Sequence, residues 1–299
     1  MPNSVSLIVV NYNGGAYLKN CIGSAIGQVD ESIVVDNASD DSSLKELEIA
    51  FGEKKALRII RNAKNLGFSA ACNIGLEQST GDYLMFLNPD CVIEPDTVER
   101  LLSTLVKFPE AGMVGGLLVD PDGTEQGGGR RAIPTPWRSF VRAFGLSRLS
   151  NRWPRMFFDF HLHKQPLPKH PIEVEAISGA CMLVRGTAMR DVGKWDEGYF
   201  LHCEDLDFSM NLRRKGWKIM FVPDTRIVHH KGGCSRYRPI FVEWHKHLGM
   251  MRFYRKFFRY QYPGVLMWLV VLGVWLRFLG VAVYHSGHLL ELKRGLMRE

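Results

Sequence analysis

Cysteine pairs of the C-x-x-C kind are absent from this chain, and its six cysteines (Cys21, Cys72, Cys91, Cys181, Cys203 and Cys234) are scattered over 299 residues. That scatter excludes a disulfide-stapled scaffold and argues for reduced thiols in a cytosolic compartment. Also missing are the two common glycine-rich phosphate cradles, G-x-x-x-x-G-K-[ST] and G-x-G-x-x-G. One glycine run, Gly127 to Gly129 followed by Arg130 and Arg131, lies outside a strand-to-helix context and is weak support for a dinucleotide. Repeats and low-complexity tracts are lacking. MPNSVSLIVVNYN has no basic segment ahead of its short apolar run, so it reads as a first strand rather than a signal peptide. With no loop to cradle it, phosphate would have to be held through a metal.

What is present is the composition of a globular chain: 46% hydrophobic and 23% charged residues leave room for a proper core. The net charge of +7, with a pI near 9.1, suits a phosphate-rich partner or an anionic membrane surface. Apolar, β-branched runs at 5–10, 32–36, 57–60 and 82–88 alternate with helix-like segments at 15–26, 42–50, 69–78 and 96–107. This alternation predicts an α/β fold, a mostly parallel sheet with helices on both faces. Near-continuous apolarity fits strands covered on both sides. A regular strand is expected over 174–185, another over 217–223, and a strand-like RIVHH after it.

In parallel α/β sheets ligands bind at the carboxyl ends of the strands. Polar clusters fall at four such ends: Asn11-Tyr12-Asn13, Asp36-Asn37, Asn62 to Gly67, and Asn88-Pro89-Asp90. Each alone could be a cap or a turn; four on one edge would line a groove. Asp90 is a hard oxygen ligand suited to Mg2+ or Mn2+. His229 and His230, closing the strand-like segment, are candidates for its metal-side partner. Glu204-Asp205-Leu206-Asp207 brings three acids to a helix start, where the macrodipole favours them. The apolar residues just before them suggest a ledge on which a carboxylate could take a proton from an attacking hydroxyl.

In this order, VVNYN, VVDNASDDSS, NLGFSAACNIG, FLNPDC, GACMLVR, WDEGYFLHCEDLDF and VPDTRIVHHKGG resemble a family 2 glycosyltransferase of the GT-A fold, over roughly residues 5 to 235. Within the family the chain is similar to bacterial WbbL-type rhamnosyltransferases, which act on a lipid-linked sugar pyrophosphate. The resemblance implies a donor site of Asn11, Asp36, Asn65, Gly67, Asn73, Asn88 and Asp90. It puts the divalent metal, Mg2+ or Mn2+, on Asp90 and His229, with His229 preferred to His230. Asn88 stands where the family's first Asp often sits. The resemblance also implies Asp205 as general base, and Arg131, Trp195 and Glu204 on the acceptor or phosphate side. The Q-x-x-R-W signature of processive members is missing, so a single addition is expected.

The implied reaction is inverting transfer of one sugar, L-rhamnose from dTDP-rhamnose, to a polyprenyl-pyrophosphate-linked GlcNAc in cell-wall or surface polysaccharide synthesis. The alternatives are transfer of another hexose to a lipid-linked acceptor, and a non-catalytic membrane scaffold with the same fold. The expected organisation is a catalytic domain over 1–240, with a flexible acceptor-side insert at about 120–172. Membrane-associated helices, basic amphipathic and then hydrophobic, would follow over 241–299. Residues 265–284 carry one charge, Arg277, and pass the length test for spanning; a stripe of Gly273, Arg277, Gly280, Tyr284 and His288 would also suit a helix in the membrane plane or one packed through its glycines. Attachment to the cytoplasmic face of a bacterial inner membrane is expected, without nucleic acid as a partner. Homo-oligomerisation is left open.

Overall fold

A computed structural model describes residues 3–158, 160–234 and 238–296. Its chain divides into two compact units. The larger comprises Met1–Ile133, Phe160–Phe200 and Glu204–Cys234; the smaller comprises Pro134–Asp159, Leu201–Cys203 and Ser235–Glu299.

In the larger unit the chain runs β1 (Val5–Asn11), α1 (Gly15–Ala25), β2 (Glu31–Asp36), α2 (Ser43–Phe51), β3 (Leu57–Arg61), α3 (Phe68–Glu77), β4 (Tyr83–Leu87), β5 (Cys91–Ile93), α4 (Thr97–Lys107) and β6 (Ala111–Val119). After the short β7 (Arg130–Arg131) the chain passes through α5 (Pro136–Ala143) of the smaller unit. It returns for β8 (Ile172–Glu173), β9 (Ala176–Ile177), β10 (Cys181–Arg185), α6 (Gly186–Val192), α7 (Glu204–Arg214) and β11 (Lys218–His229). The main sheet, nine strands among the described residues, has the order β3-β2-β1-β4-β10-β6-β11-β5, and β8 pairs with β11. β1, β2, β3 and β4 pair in parallel, as does β6 with β11; β10 and β5 run antiparallel to their neighbours. This is the mostly parallel α/β sheet that the alternation predicts.

Successive residues of each central strand feed two cores. Val5, Leu7 and Val9 join Leu18, Ile22, Leu47, Leu101 and Leu105 on one face. Ile8 and Val10 join Ala71, Cys72, Phe208 and Leu212 on the other. Two-sided burial is why these strands read as unbroken apolar runs.

Two expected strands differ from the structure. The 174–185 segment is broken: β9 leaves the main sheet to pair with β7, and β10 resumes after Ser178-Gly179-Ala180. The 217–223 and 226–230 segments instead belong to one strand, β11, whose register against β6 shifts between Val222 and Arg226. Pro223 lies in that shift and has no N–H to give the ladder, so the chain bulges there and pairing resumes beyond it. Residues 120–172, expected as a flexible insert, contain β7, α5 and short 3₁₀ turns at Leu146–Asn151 and Leu162–Lys164.

In the smaller unit α5 precedes two long helices, α8 (Pro239–Phe258) and α9 (Gly264–Leu296). Gly264–Tyr284 of α9, with mean hydropathy 2.2, is the one stretch among the described residues long and apolar enough to cross a membrane. Its lone charge has company: Arg277 Nη1 lies 3.2 Å from His247 Nε2 and 3.9 Å from Glu243 Oε2, both on α8. Trp244 of α8 meets Trp275 and Phe278 of α9 at ring distances of 5.2 and 5.4 Å. Close glycine packing is not what joins these helices, because a Cβ added at Gly273 or Gly280 would meet open space. The side chain of His288 lies outside the described residues.

Candidate active site

β1 and β2 run in register so that Asn11 sits beside Asp36 at their carboxyl ends. Asn11 is fully buried, and the two N–H of its Nδ2 are shared among Asp36 Oδ1 at 2.7 Å, Ser43 Oγ at 2.9 Å and Ser39 Oγ at 3.0 Å. Asp36 also accepts from the Ser39 amide and hydroxyl. Asn11 therefore sets Asp36 in place from behind. Asn37 continues the edge, donating to the Gly67 carbonyl and accepting from Asn62 Nδ2. Asn65 Oδ1 accepts from the Gly67 amide, an Asx-type turn. Gly67 has φ +87°, and a Cβ there would lie 2.8 Å from the Phe200 carbonyl oxygen, so this turn needs glycine.

Asn73, expected in the donor site, and Trp195, expected on the acceptor or phosphate side, are both buried. Asn73 is buried, and its amide clips the Trp195 backbone at both N and O while donating to Glu197. Trp195 is only 3% exposed; it stacks on Phe208 with ring centroids 4.6 Å apart and meets Phe86 edge-on. An indole in that core position shapes the scaffold and does not reach an acceptor.

Beyond β4 the Asn88 amide donates to the Ala180 carbonyl, and the chain turns through Asp90 into β5. β5 pairs with β11 so that Cys91 faces His229, and the His230 amide donates to the Asp90 carbonyl. This register brings His229 Nε2 to 3.3 Å from Asp90 Oδ1. Ligand atoms of Asp90, Cys91 and His229 all lie within 4.8 Å of one another. Burial, and next the Asp90 charge, push the Cys91 thiol well above its ordinary range, and its Sγ donates to the Ala180 carbonyl. Beside that thiol stand a hard carboxylate oxygen and an imidazole nitrogen, a donor pair that suits Mg2+ or Mn2+. His230 turns its ring toward Tyr17, at 5.0 Å.

Gln126 completes this corner and carries no motif. Its Oε1 lies 2.8 Å from His229 Nδ1, and its Nε2 donates to Asp120 Oδ1 and to the His229 carbonyl, each at 2.7 Å. An amide oxygen there suits an Nδ1–H donor, the tautomer that would leave Nε2 free to ligate an ion shared with Asp90. Gln126→Leu is expected to weaken divalent-ion affinity about 10- to 100-fold, the usual cost of losing a partner that orients a ligand. Titration calorimetry with Mn2+ checks this, with unchanged affinity as the contrary result.

The second corner lies at the start of α7. His202 and Cys203 take φ of +68° and +70°, a costly pair of left-handed residues leading into Glu204 and Asp205. Asp205 accepts from the Gly179 amide at 3.0 Å and from the Leu206 amide at 2.8 Å, and it pairs with Arg131. The break between β9 and β10 is what presents the Gly179 N–H. Arg131 Nε finds no hydrogen-bond partner among the described residues. Asp207 has a packing role, accepting from Tyr199 Oη and Asn211 Nδ2.

Glu204 is buried, and desolvation followed by the Asp205 charge pushes its carboxyl up to about 8. The unfolded chain ionises it near 4.5, so its contribution to stability is complete below 4.5 and is lost as pH rises through about 8. Glu204→Gln is expected to flatten that part of the pH–stability curve, leaving the variant more stable than wild type above about pH 8. Thermal unfolding across the range tests this; parallel curves for the two proteins would contradict it.

The family model for glycosyl transferase family 2 matches residues 6–179. The N-acetylglucosaminyl-diphospho-decaprenol L-rhamnosyltransferase of Mycobacterium tuberculosis is 28% identical over 242 residues, covering 77% of each chain. Low-salt glycan biosynthesis hexosyltransferase Agl10 of Haloferax volcanii is 25% identical over 236 residues, covering 77% of this chain and 68% of its own. Mannosyltransferase PcManGT from Pyrobaculum calidifontis, solved with GDP-Man and Mn2+, is similar in structure at a TM-score of 0.57 and 15% identity; the match covers 99% of this chain and 80% of that one. GalNAc-T7, solved with UDP, GalNAc and Mn2+, matches at 0.56 and 19% identity over 76% of this chain, which spans only 43% of it. The structural likenesses show the fold, which is GT-A. With the family model covering more than half of its length, the chain belongs to glycosyl transferase family 2 and is a glycosyltransferase.

Proposed function

We propose that the protein transfers a single L-rhamnose from dTDP-rhamnose to a polyprenyl-pyrophosphate-linked GlcNAc, with inversion at the anomeric carbon. The observation that carries the chemistry is the link of two corners through Gly179-Ala180: Asp90 with His229, beside Asn88 and Cys91 that bond the Ala180 carbonyl, and Asp205 held by Gly179, Leu206 and Arg131. The choice of sugar and acceptor is supported by the 28% identity to the mycobacterial rhamnosyltransferase.

Asp205 takes the proton of the acceptor hydroxyl as that oxygen bonds to the anomeric carbon. The bond from that carbon to the diphosphate oxygen breaks on the opposite face, and the nucleoside diphosphate leaves. Asp90 and His229 would hold a divalent ion, which supplies neutralisation of the leaving diphosphate's charge. Asp36, positioned by Asn11, serves the donor base, beside the turn shaped by Asn65 and Gly67. Arg131 orients Asp205 and offers its guanidinium to the acceptor phosphate. The apolar α9 fits an enzyme that meets a lipid-linked substrate on the cytoplasmic face of a bacterial inner membrane.

Purified protein, offered a panel of nucleotide sugars with polyprenyl-pyrophosphate GlcNAc, is expected to add one deoxyhexose from dTDP-rhamnose. Product mass with and without chelator reads this out. Addition of a plain hexose from another donor would replace rhamnose in the proposal, and no product from any donor would overturn it.

A further inference from the structure

Residues 134–158 contain five arginines, Arg138, Arg142, Arg148, Arg152 and Arg155, and no acid. α5 is held by other groups than its large rings: Val141 is fully buried, and Ser139 Oγ accepts from Tyr254 Oη at 2.6 Å. Trp137, Phe140 and Phe144, three and four residues apart and so on one side of the helix, remain 39%, 41% and 68% exposed. They form one strip with rings from beyond the helix. Centroids are 4.5 Å apart for Phe144 and Phe140, 5.6 Å for Phe140 and Trp137, 6.3 Å for Trp137 and Phe157, and 6.2 Å for Phe157 and Trp153. Trp137 Nε1 donates to the Met156 carbonyl at 2.7 Å, clipping the two pieces together. Met156 and Leu149 are exposed beside the rings, and the Arg152 guanidinium lies 5.3 Å over Trp153.

A continuous exposed aromatic strip does nothing for the core and marks a contact surface. Its chemistry selects the partner. Tryptophan and phenylalanine fringed by arginine, without acids, match the headgroup region of an anionic bilayer. Nucleic acid would satisfy the arginines too, but it would leave unanswered the apolar face of α9 in the same compact unit. No part of the Gly264–Tyr284 window is buried, and Trp268, Leu269, Leu272 and Leu276 are exposed there.

We propose that residues 134–158 are a second membrane-contact element, laying this aromatic strip into the headgroup region of an anionic leaflet while Arg142, Arg148, Arg152 and Arg155 meet lipid phosphates. It rests on the reading of α9 as the membrane anchor and adds a contact that α9 does not supply. Each arginine near such a surface strengthens partitioning about fivefold.

The test uses the full chain in bilayers of brominated phosphatidylcholine and phosphatidylglycerol, reading bromine quenching of tryptophan emission. Trp137→Phe with Trp153→Phe is expected to lower the quenched amplitude, as is Trp268→Phe with Trp275→Phe on α9. If only the α9 pair lowers it, the second contact is overturned and the anchor reading stands; if neither does, both fall. Glutamine at Arg142, Arg148, Arg152 and Arg155 is expected to remove the phosphatidylglycerol dependence of Trp137 and Trp153 quenching. Dependence that survives those changes would overturn the role given to the arginines.

Discussion

Asp205→Asn is expected to lower kcat by about 10²- to 10⁴-fold, the span that a positioned general base contributes. Gly179 and Leu206 donate to different carboxylate oxygens of Asp205, so the single asparagine oxygen keeps one of these two contacts and gives up the other. The variant also loses the charge that pairs with Arg131 and that is proposed to take the proton. Donor KM and nucleotide affinity are therefore expected to stay within a few-fold of wild type. Steady-state kinetics with product mass as readout separates the two quantities. Near-full turnover in the variant would remove Asp205 from the chemistry, and a rise in donor KM alone would make it a binding group.

Asp90→Ala is the second large effect. Neutralising a leaving diphosphate is worth several kcal/mol in sites of this kind, so kcat is expected to fall about a thousandfold or more. Asp90 is the one carboxylate clustered with Cys91 and His229 among the described residues, and Asn88 stands two residues before it. Its loss leaves His229 and the soft sulfur of Cys91, too weak a set to retain Mg2+ or Mn2+. Chelator added to the wild-type protein is expected to copy the variant, and added Mn2+ to restore only the wild type. Activity that ignores both the substitution and the chelator would contradict a metal role for this corner.

Much of the sheet was legible because burial on both faces writes β1, β2 and β4 as plain apolar runs. Asp36 and Asp90 stood out as acids ending such runs. His229 and His230 stood out as a pair closing a strand-like run, and the family resemblance preferred His229. The nearness of His229 to Asp90, however, depends on a bulge at Pro223 and on the register of β11 against β5, which no local pattern announces. Gln126 was hidden by distance: it lies in a glycine-rich stretch, and its imidazole partner is 103 residues away. Gly179 was hidden differently, inside a segment apolar enough to pass for one strand, although Ser178 and Gly179 in its middle marked the break. Trp195 was placed on the acceptor or phosphate side by the family resemblance alone, while its ring packs in the core against Phe86 and Phe208. Residues 134–158 fell within the expected flexible acceptor-side insert at about 120–172, since arginine and proline obscure the spacing of Trp137, Phe140 and Phe144.

Pulsed electron paramagnetic resonance of bound Mn2+, with nucleoside diphosphate present, addresses the metal corner directly. One imidazole nitrogen coupling is expected in the wild-type protein, and none in His229→Ala. A coupling that persists in His229→Ala, or a wild-type signal from oxygen ligands alone, would contradict the joint role of Asp90 and His229.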